Sequence, residues 1–340
     1  MPWLWLPLPV GEGWDGGSAA LVHAAALVLA LAVDRILGEP PARWHPVVWM
    51  GRYLGWTGRR VAPPIDASPS RRFGPFAAGA LAWCAGAAAV LLAAASLSAT
   101  AAHLPGWAAA LLLGLALKPL LAWRMLRDEV LAVEAALACS LTAGRNRLAH
   151  LVSRDVLTLD AAAVRESAIE SLAENLNDSV VAPLFWFLLL GLPGAALYRF
   201  ANTADAMWGY RGERHGHAWE WAGKWAARAD DALSWLPARL TALLLSCSVP
   251  LRGRAGVGAR ALIREARLTP SPNSGWPMAA MGLLLGVRLA KPGVYVLNAA
   301  GREPTAADTR HAATLGARVV WMTAALAASA LLLPAAWCNP

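Results

Sequence analysis

The sequence predicts an all-α polytopic membrane protein, and three observations lead there. Hydrophobic residues fill 57% of the 340 positions, and the mean hydropathy is +0.44. Only 15% of the residues are charged, against roughly 25% in soluble globular chains. Five apolar runs approach the roughly 20 residues that a helix needs to span a bilayer. They are Ala19–Val33, Phe76–Leu97, Gly106–Trp123, Val180–Phe200 and Val319–Trp337. A sixth, Leu236–Leu251, is shorter.

Positive charge orients these runs, because Lys and Arg stay on the cytoplasmic side. The Asp34–Arg72 stretch carries seven arginines, among them Arg35, Arg43, Arg59, Arg60, Arg71 and Arg72, and is expected inside. Ser98–Pro105 carries none and is expected outside; Arg124–Ser179, rich in both signs, returns to the cytoplasm. Beyond Val180–Phe200, Arg211, Arg214, Lys224 and Arg228 also prefer the cytoplasm, so that run should not cross. Gly191-Leu192-Pro193-Gly194 interrupts it with strong turn chemistry. A re-entrant or interfacial helical hairpin buried in protein satisfies both observations. About four crossings remain, with both termini outside and Trp337 as an interfacial anchor. The chain reads as one membrane domain over residues 1–340, with cytoplasmic segments at 34–75, 124–179 and 201–318.

Other classes are disfavoured. The net charge is +8, but the arginines are scattered and no basic run forms, so no nucleic-acid partner is expected. Cys84, Cys139, Cys247 and Cys338 are far apart, which suggests neither a zinc ribbon nor a disulfide framework. The first 18 residues contain Glu12 and Asp15 but no Lys or Arg, unlike a cleavable signal peptide. Gly256-Val257-Gly258-Ala259-Arg260-Ala261 matches G-x-G-x-x-A without a βαβ context, and no Walker-type loop occurs. His215 and His217 are two apart, the wrong spacing for one helical face.

Asp160–Asp178 carries the most chemical information. Asp160 suits an N-cap. Val164, Ala168, Leu172 and Leu176 recur every four residues; Glu166, Glu170, Glu174 and Asp178 do so offset by two, so the stripes occupy opposite faces of a helix. Like charges at i, i+4 repel, and water, arginines or a cation must offset them. The plain alternative is a solvated acidic face. Against it, Asn175, Asn177 and Asp178 abut the Val180–Phe200 run, and Asn202, Asp205 and Glu213 follow it. A hairpin would bring the two sets together as oxygen ligands for Mg²⁺, which takes one or two carboxylates plus substrate phosphates. Downstream, Asp230 and Asp231 could hold a second metal, while Arg211, Arg228 and Arg239 could clamp phosphate; a surface ion-pair cluster is the alternative. Asp155, beside Arg154, suits either a cap or a ligand. Asp34 closes the first helix before Gly38-Glu39-Pro40 and Trp44-His45-Pro46, where His45 is more simply a packing residue. Ser271–Pro277 is turn chemistry with an exposed Trp276, suited to a binding loop or an ordinary connector.

In this order, these motifs resemble the adenosylcobinamide-phosphate synthase family, membrane amide synthases of cobalamin biosynthesis. The resemblance covers Asp34 to about Arg288. It rests on D-R-x-L-G-E-P from Asp34, W-H-P at Trp44–Pro46, S-R-D at Ser153–Asp155 and E-S-x-A-E-N at Glu170–Asn175. It continues through A-P-L-F-W at Ala182–Trp186, N-T-x-D-A-M-x-G-Y-R at Asn202–Arg211, R-x-D-D at Arg228–Asp231, P-A-R-L-T at Pro237–Thr241 and S-P-N-S-G-W-P at Ser271–Pro277. Singly these are weak; jointly they are specific. The resemblance implies ATP-dependent joining of adenosylcobyric acid, a corrinoid, to 1-amino-2-propanol or its phosphate as an amide. ATP would activate the carboxylate as an acyl phosphate with Mg²⁺ assisting, and the amine would then attack. It implies a multi-pass inner-membrane enzyme with a cytoplasmic active site, where docking onto the downstream membrane cobalamin synthase is open to it. Catalysis would fall to Glu170, Glu174, Asp178 and Asp205, and metal binding to Glu174, Asp178, Asp205, Asp230 and Asp231. Substrates and phosphates would meet Asp34, His45, Arg154, Asn175, Asn202, Tyr210, Arg211, Arg228, Arg239, Asn273 and Trp276.

The chain departs from the family pattern in places. Relatives tend to read E-N-T-V-D-G where this chain has Glu174-Asn175-Leu176-Asn177-Asp178-Ser179. Met278 replaces an expected acidic residue after G-W-P, and the segment at Lys291-Pro292-Gly293-Val294-Tyr295 is altered. The carboxylates are kept; the Trp276 loop and the amino-alcohol preference are where the changes bear. Two other classes compete. A Mg²⁺-dependent prenyl or phosphatidyl transferase needs spaced aspartate repeats on facing helices, which Asp230-Asp231 alone does not supply. A transporter needs inverted repeats and midplane charges, whereas these carboxylates cluster at one face.

Overall fold

The computed structural model describes residues 16–65, 72–249 and 258–337, with backbone alone for 333–337. Glu12, Asp15, Arg71, Gly256, Cys338 and the Trp337 side chain lie outside the described residues. In chain order the elements are α1 (Gly16–Leu37), α2 (Pro46–Val61), α3 (Phe73–Ala102), α4 (Gly106–Leu117), α5 (Trp123–Cys139), α6 (Leu141–Leu148) and α7 (Ala161–Leu176). A π-helical turn, Asn177–Val181, leads into α8 (Ala182–Trp208). Then come β1 (Glu213–Arg214), β2 (His217–Ala218), α9 (Lys224–Cys247), α10 (Ala259–Ala266), α11 (Gly275–Leu285), β3 (Leu289–Lys291), β4 (Tyr295–Leu297) and α12 (Ala306–Trp337). The protein is thus all-α, with two antiparallel β-hairpins as its only described strands.

Five helical segments are long and apolar enough to cross a membrane: Gly17–Leu37, Phe73–Ala102, Gly106–Cys139, Ala161–Trp208 and Ala306–Leu332. Four of them contain an apolar run read from sequence in full, and the fifth overlaps the run Val319–Trp337. Their ends differ from the reading for local reasons. The arginine-rich Asp34–Arg72 stretch is largely helical, because Pro46 at the first turn and His45 as N-cap start α2. The connector expected outside shrinks to His103–Pro105, since α3 runs to Ala102. The third segment breaks at Lys118-Pro119, where the missing amide hydrogen of proline tightens the helix into a 3₁₀ turn. The last helix starts at Ala306 instead of Val319. Asp308 accepts from the amide and hydroxyl of Thr305 (both 2.7 Å), a capping arrangement that initiates α12 upstream of its apolar stretch.

The expected break in Val180–Phe200 is present. Gly191 has φ 64° and ψ −156°, which is not helical. Three residues on, a methyl at Gly194 would sit 2.5 Å from the Trp186 carbonyl oxygen. Eight residues of straight helix span about 12 Å, so the chain must turn back on itself here, and only glycine permits the approach.

The described chain forms two compact units. The first comprises the chain up to Leu121, Ala182–Leu233 and the stretch from Leu326 onward. In it α1 packs on α4 through alanines, with Ala26, Leu27 and Ala30 fully buried; small residues permit close helix contact in an apolar setting. Trp83 of α3, Phe200 of α8 and Trp225 of α9 form an aromatic cluster, with Trp83 5.8 Å and 6.2 Å from the other two. The second unit comprises Ala122–Val181 and Ser234–Ala325. At its centre lies α7, packed by α5, α6, α11 and β3. Asp160 caps α7, its Oδ1 accepting from the Ala163 amide (2.8 Å). Buried Glu134 of α5 accepts from Arg165 Nε and Nη2 of α7 (2.8 and 2.9 Å) and from the Thr309 hydroxyl of α12 (3.2 Å).

Candidate active site

The acidic stripe of α7 is not a solvated face. Val164, Ala168, Leu172 and Leu176 are fully buried on one side, yet Glu166 and Glu170 are each only 2% exposed on the other. The β3–β4 hairpin and the segment before α7 supply the compensating groups. Glu166 accepts from Arg288 Nε and Nη2 (3.1 and 2.9 Å) and from the Ala290 amide (2.9 Å), which ties β3 to α7. Glu170 pairs with Arg154 (2.7 Å). The Tyr295 hydroxyl donates to Glu170, and Nη1 of Arg154 is buried without a hydrogen-bond partner among the described residues. Tyr295 of β4 stands beside Glu170 and Glu174, and its hydroxyl contacts Met278 Sδ at 3.8 Å. Burial, then the charges of Glu170 and Glu174, push its phenol far above the ordinary range, so it stays a neutral donor.

Beyond Glu174 the strict four-residue register ends. The π turn at Asn177–Val181 inserts extra backbone and re-aims Asp178, a local widening often found at functional sites. Asn177 is buried and bridges, donating to Asp178 Oδ1 (2.8 Å) while its own carbonyl accepts from the Thr241 hydroxyl (3.1 Å). Asn175 turns its amide back to the Ser171 carbonyl (2.9 Å). Glu174, Asn175 and Asp178 are half-buried. Arg154's neighbour Asp155 accepts from the Leu157 amide (2.9 Å), a turn contact.

Arg239, Asn273 and Trp276 do come together, as a clasp. Arg239 donates to Asn273 Oδ1 (3.0 Å) and to the Pro272 carbonyl (3.2 Å). Its guanidinium lies between the Trp235 and Trp276 rings, 4.3 and 4.8 Å from their centroids. The arginine therefore holds the Ser271–Pro277 loop on α9.

In the first unit a second polar group gathers around the end of α8 and the start of α9. Asn202 accepts from Arg199 (3.3 Å) and donates to Asp230 (3.5 Å). Asp231 feels the charges of Arg228 and Arg211. The Asp205 carboxylate is folded against Gly209, where a β-carbon would collide with it. Trp208 is buried, with its Nε1 donating to the Leu54 carbonyl (3.1 Å). Tyr210 donates to the Ala206 carbonyl (2.8 Å) beneath the Arg214 guanidinium. Asp231 is half-buried, and burial pushes its pKa upward against the pull of Arg228 and Arg211. A carboxyl raised on folding stabilises the fold below its unfolded pKa and loses that contribution as pH rises through the folded value. Asp231→Asn should therefore melt higher than the parent at neutral pH, with the gap closing in acid; a constant gap across the pH range would refute this.

The same unit holds a buried charge network that joins Asp34, Glu39 and His45 to Lys118, a residue that sequence reasoning left out. Lys118, 3% exposed, sits 3.2 Å from Asp34 and 2.9 Å from Glu39. Glu39 also meets His45 Nε2 (3.0 Å), and His45 Nδ1 accepts from the Val47 amide (3.3 Å). Both ring nitrogens of His45 are thus engaged in capping α2 and tying it to Glu39. Although burial works against it, the hydrogen bonds from His45 and Lys118 hold the Glu39 carboxyl below its ordinary value. Lys118 is hidden from a composition reading because an apolar run surrounds it. Tyr295 carried a usable signal, since Pro292-Gly293 marks a hairpin turn and Gly293 has φ 71°.

Among the described residues, no three His, Cys, Asp or Glu side chains gather as a self-sufficient metal site.

The profile of the CobD/Cbib protein family matches residues 27–327. The chain belongs to the CobD/Cbib family. Among its relatives is a probable cobalamin biosynthesis protein CobD of Thermococcus kodakarensis, 43% identical over 305 residues, covering 88% of this chain and 92% of that one. The cobalamin biosynthesis protein CobD of Chromobacterium violaceum is 42% identical over 321 residues, 91% of this chain and 97% of its own. That of Brucella suis is 38% identical over 327 residues, 90% and 94% respectively. No solved structure matches. For this CobD/Cbib chain, membership places it in cobalamin biosynthesis and agrees with its apolar helices. The matched region reaches beyond the motifs at both ends, taking in half of α1 and most of α12.

Proposed function

We propose that the chain is an ATP-dependent amide synthase that joins adenosylcobyric acid to 1-amino-2-propanol or its phosphate. The observation that carries this reading is the buried Glu170 paired with Arg154 beside Tyr295, with one Arg154 donor unfilled. An amino alcohol offers a complement: an amine for the side of Glu170 and Tyr295, and a hydroxyl or phosphate for Arg154 Nη1. Leaving a buried donor unpaired is costly, so a ligand that fills it would be held firmly.

In this reading the substrate carboxylate attacks the γ-phosphorus of ATP and ADP leaves. The amine nitrogen then attacks the acyl carbon, phosphate departs, and the nitrogen gives up a proton. Glu174 stands near Glu170 across Tyr295 and has solvent access, which suits it to receive that proton. Asp205, Asp230 and Asp231, with Arg211 and Arg228, form a mixed-charge group suited to Mg²⁺ and phosphate. Mg²⁺ held there would neutralise charge on bound phosphates. The site faces the cytoplasm in this reading, in keeping with the arginine distribution and the supply of ATP.

Membranes carrying the protein should release phosphate from ATP only when both adenosylcobyric acid and the amino alcohol are present. Amide product should appear in equal amount. Product formation without ATP, or ATP turnover indifferent to the corrinoid, would exclude the assignment.

A further inference from the structure

The outer face of α2 is built differently from the rest of the molecule. Between Pro40 and Ile65 the chain contains Arg43, Arg52, Arg59 and Arg60 and no Asp or Glu. None of the four has a carboxylate within ion-pair distance among the described residues. On a helix of 100° per residue, Trp49, Arg52, Trp56, Arg59 and Arg60 fall within an arc of about 100°. All five are exposed, whereas Met50, Leu54, Thr57 and Gly58 are buried on the other side, where α2 packs on α3 and α8. Trp44, Trp49 and Trp56 are 64%, 48% and 51% exposed. The Arg60 guanidinium covers the Trp56 ring at 4.1 Å, Arg43 lies 5.9 Å from the Trp44 ring, and Trp49 Nε1 donates to the Arg43 carbonyl (3.0 Å).

We propose that this face is a docking surface for the headgroups of anionic phospholipids. Indole rings settle at the headgroup level because one edge is polar and the body apolar. Unpaired guanidiniums among them would find phosphates as partners. A helix with packed apolar side chains on one face and Trp and Arg on the other has the composition of an interfacial helix. Geometry keeps it at the surface. Only Gly38–His45 separates α2 from the end of α1, itself apolar enough to span, and α1 finishes on exposed Ile36 and Leu37. Eight extended residues reach at most about 28 Å. Charge complementarity favours lipid over a protein partner, since the patch offers four positive charges and no negative one.

The test is native mass spectrometry of the purified full-length chain, released from nanodiscs of equimolar phosphatidylglycerol and phosphatidylcholine. Retained lipid should be enriched in phosphatidylglycerol. Arg52→Gln, Arg59→Gln and Arg60→Gln together should lower that enrichment by about fivefold per arginine removed at low salt. The corresponding lysine triple variant should keep most of it. Salt titration of the unmodified chain decides independently of whether the glutamine variant folds: enrichment should fall steadily as potassium chloride rises. Equal retention of the two lipids, enrichment insensitive to salt, or enrichment unchanged in a folded glutamine variant would overturn the proposal. Displacement of the lipid by millimolar inorganic phosphate would also overturn it, revealing a free-anion site.

Discussion

Glu174→Gln and Asp178→Asn should each abolish ATP-dependent conversion of adenosylcobyric acid in membranes while leaving the protein folded. Each amide keeps the shape of the side chain and removes only its charge and basicity. Both residues are half-buried, so the amide variants lose little burial energy and should melt close to the parent. Proton transfer by a placed carboxylate is worth about 10²–10⁴ in rate, and a drop of that size separates chemistry from a weakened fold. Glu174 lies within electrostatic reach of Tyr295, and Asp178 lies in the π turn, braced by Asn177. Near-parental activity in both variants would remove these two residues from the site. Loss accompanied by a collapsed melting transition would assign them a structural role.

Glu134→Ala should be the most damaging substitution for stability. The carboxylate takes both nitrogens of Arg165 and the hydroxyl of Thr309, joining α5, α7 and α12. Removing one partner of a buried pair leaves an uncompensated charge, at about 3–5 kcal/mol. The variant should be lost from membranes or melt far below the parent. Glu134→Met with Arg165→Met should recover much of the loss, since apolar residues of similar volume often replace a buried pair without penalty. If the single variant melted like its parent, Glu134 would not be what holds these helices.

The membrane helices were legible because bilayer spanning is decided by length and apolar content, and both are local. The break at Gly191 was legible for the same reason: glycine and proline act on their own backbone. The α7 stripe was legible as a pattern but not as an environment. Periodicity separates the two faces chemically, yet it cannot tell which partner covers the acidic one. Glu166 finds Arg288 across 122 positions of chain, a pairing that only the tertiary fold creates. The π turn escaped because Asn177 reads as an ordinary helix-end residue; its buried bond to Thr241 lies 64 positions away. Arg239 carries the charge of a phosphate clamp, and the structure sets it between two indoles and an asparagine. Its partners are spread over α9 and a loop more than thirty positions later. Lys118 was invisible for the opposite reason, since hydropathy averaged over a window dilutes one cation among leucines and alanines.

The Lys118 network also bears on how the chain is made. Synthesis runs from the amino terminus, so Asp34 leaves the ribosome about 80 residues before Lys118, or roughly 4–16 s at ~5–20 residues per second. During that interval two carboxylates at the end of the first membrane helix have no lysine to meet, and the polar bilayer edge is the cheapest place for them to wait. Lys118 arrives flanked by apolar sequence, and its neutralisation by Asp34 and Glu39 offsets the cost of drawing it below the surface. The first and third membrane segments should therefore become committed together, once Lys118 has emerged, and truncations ending just before residue 118 should leave the first helix loosely held.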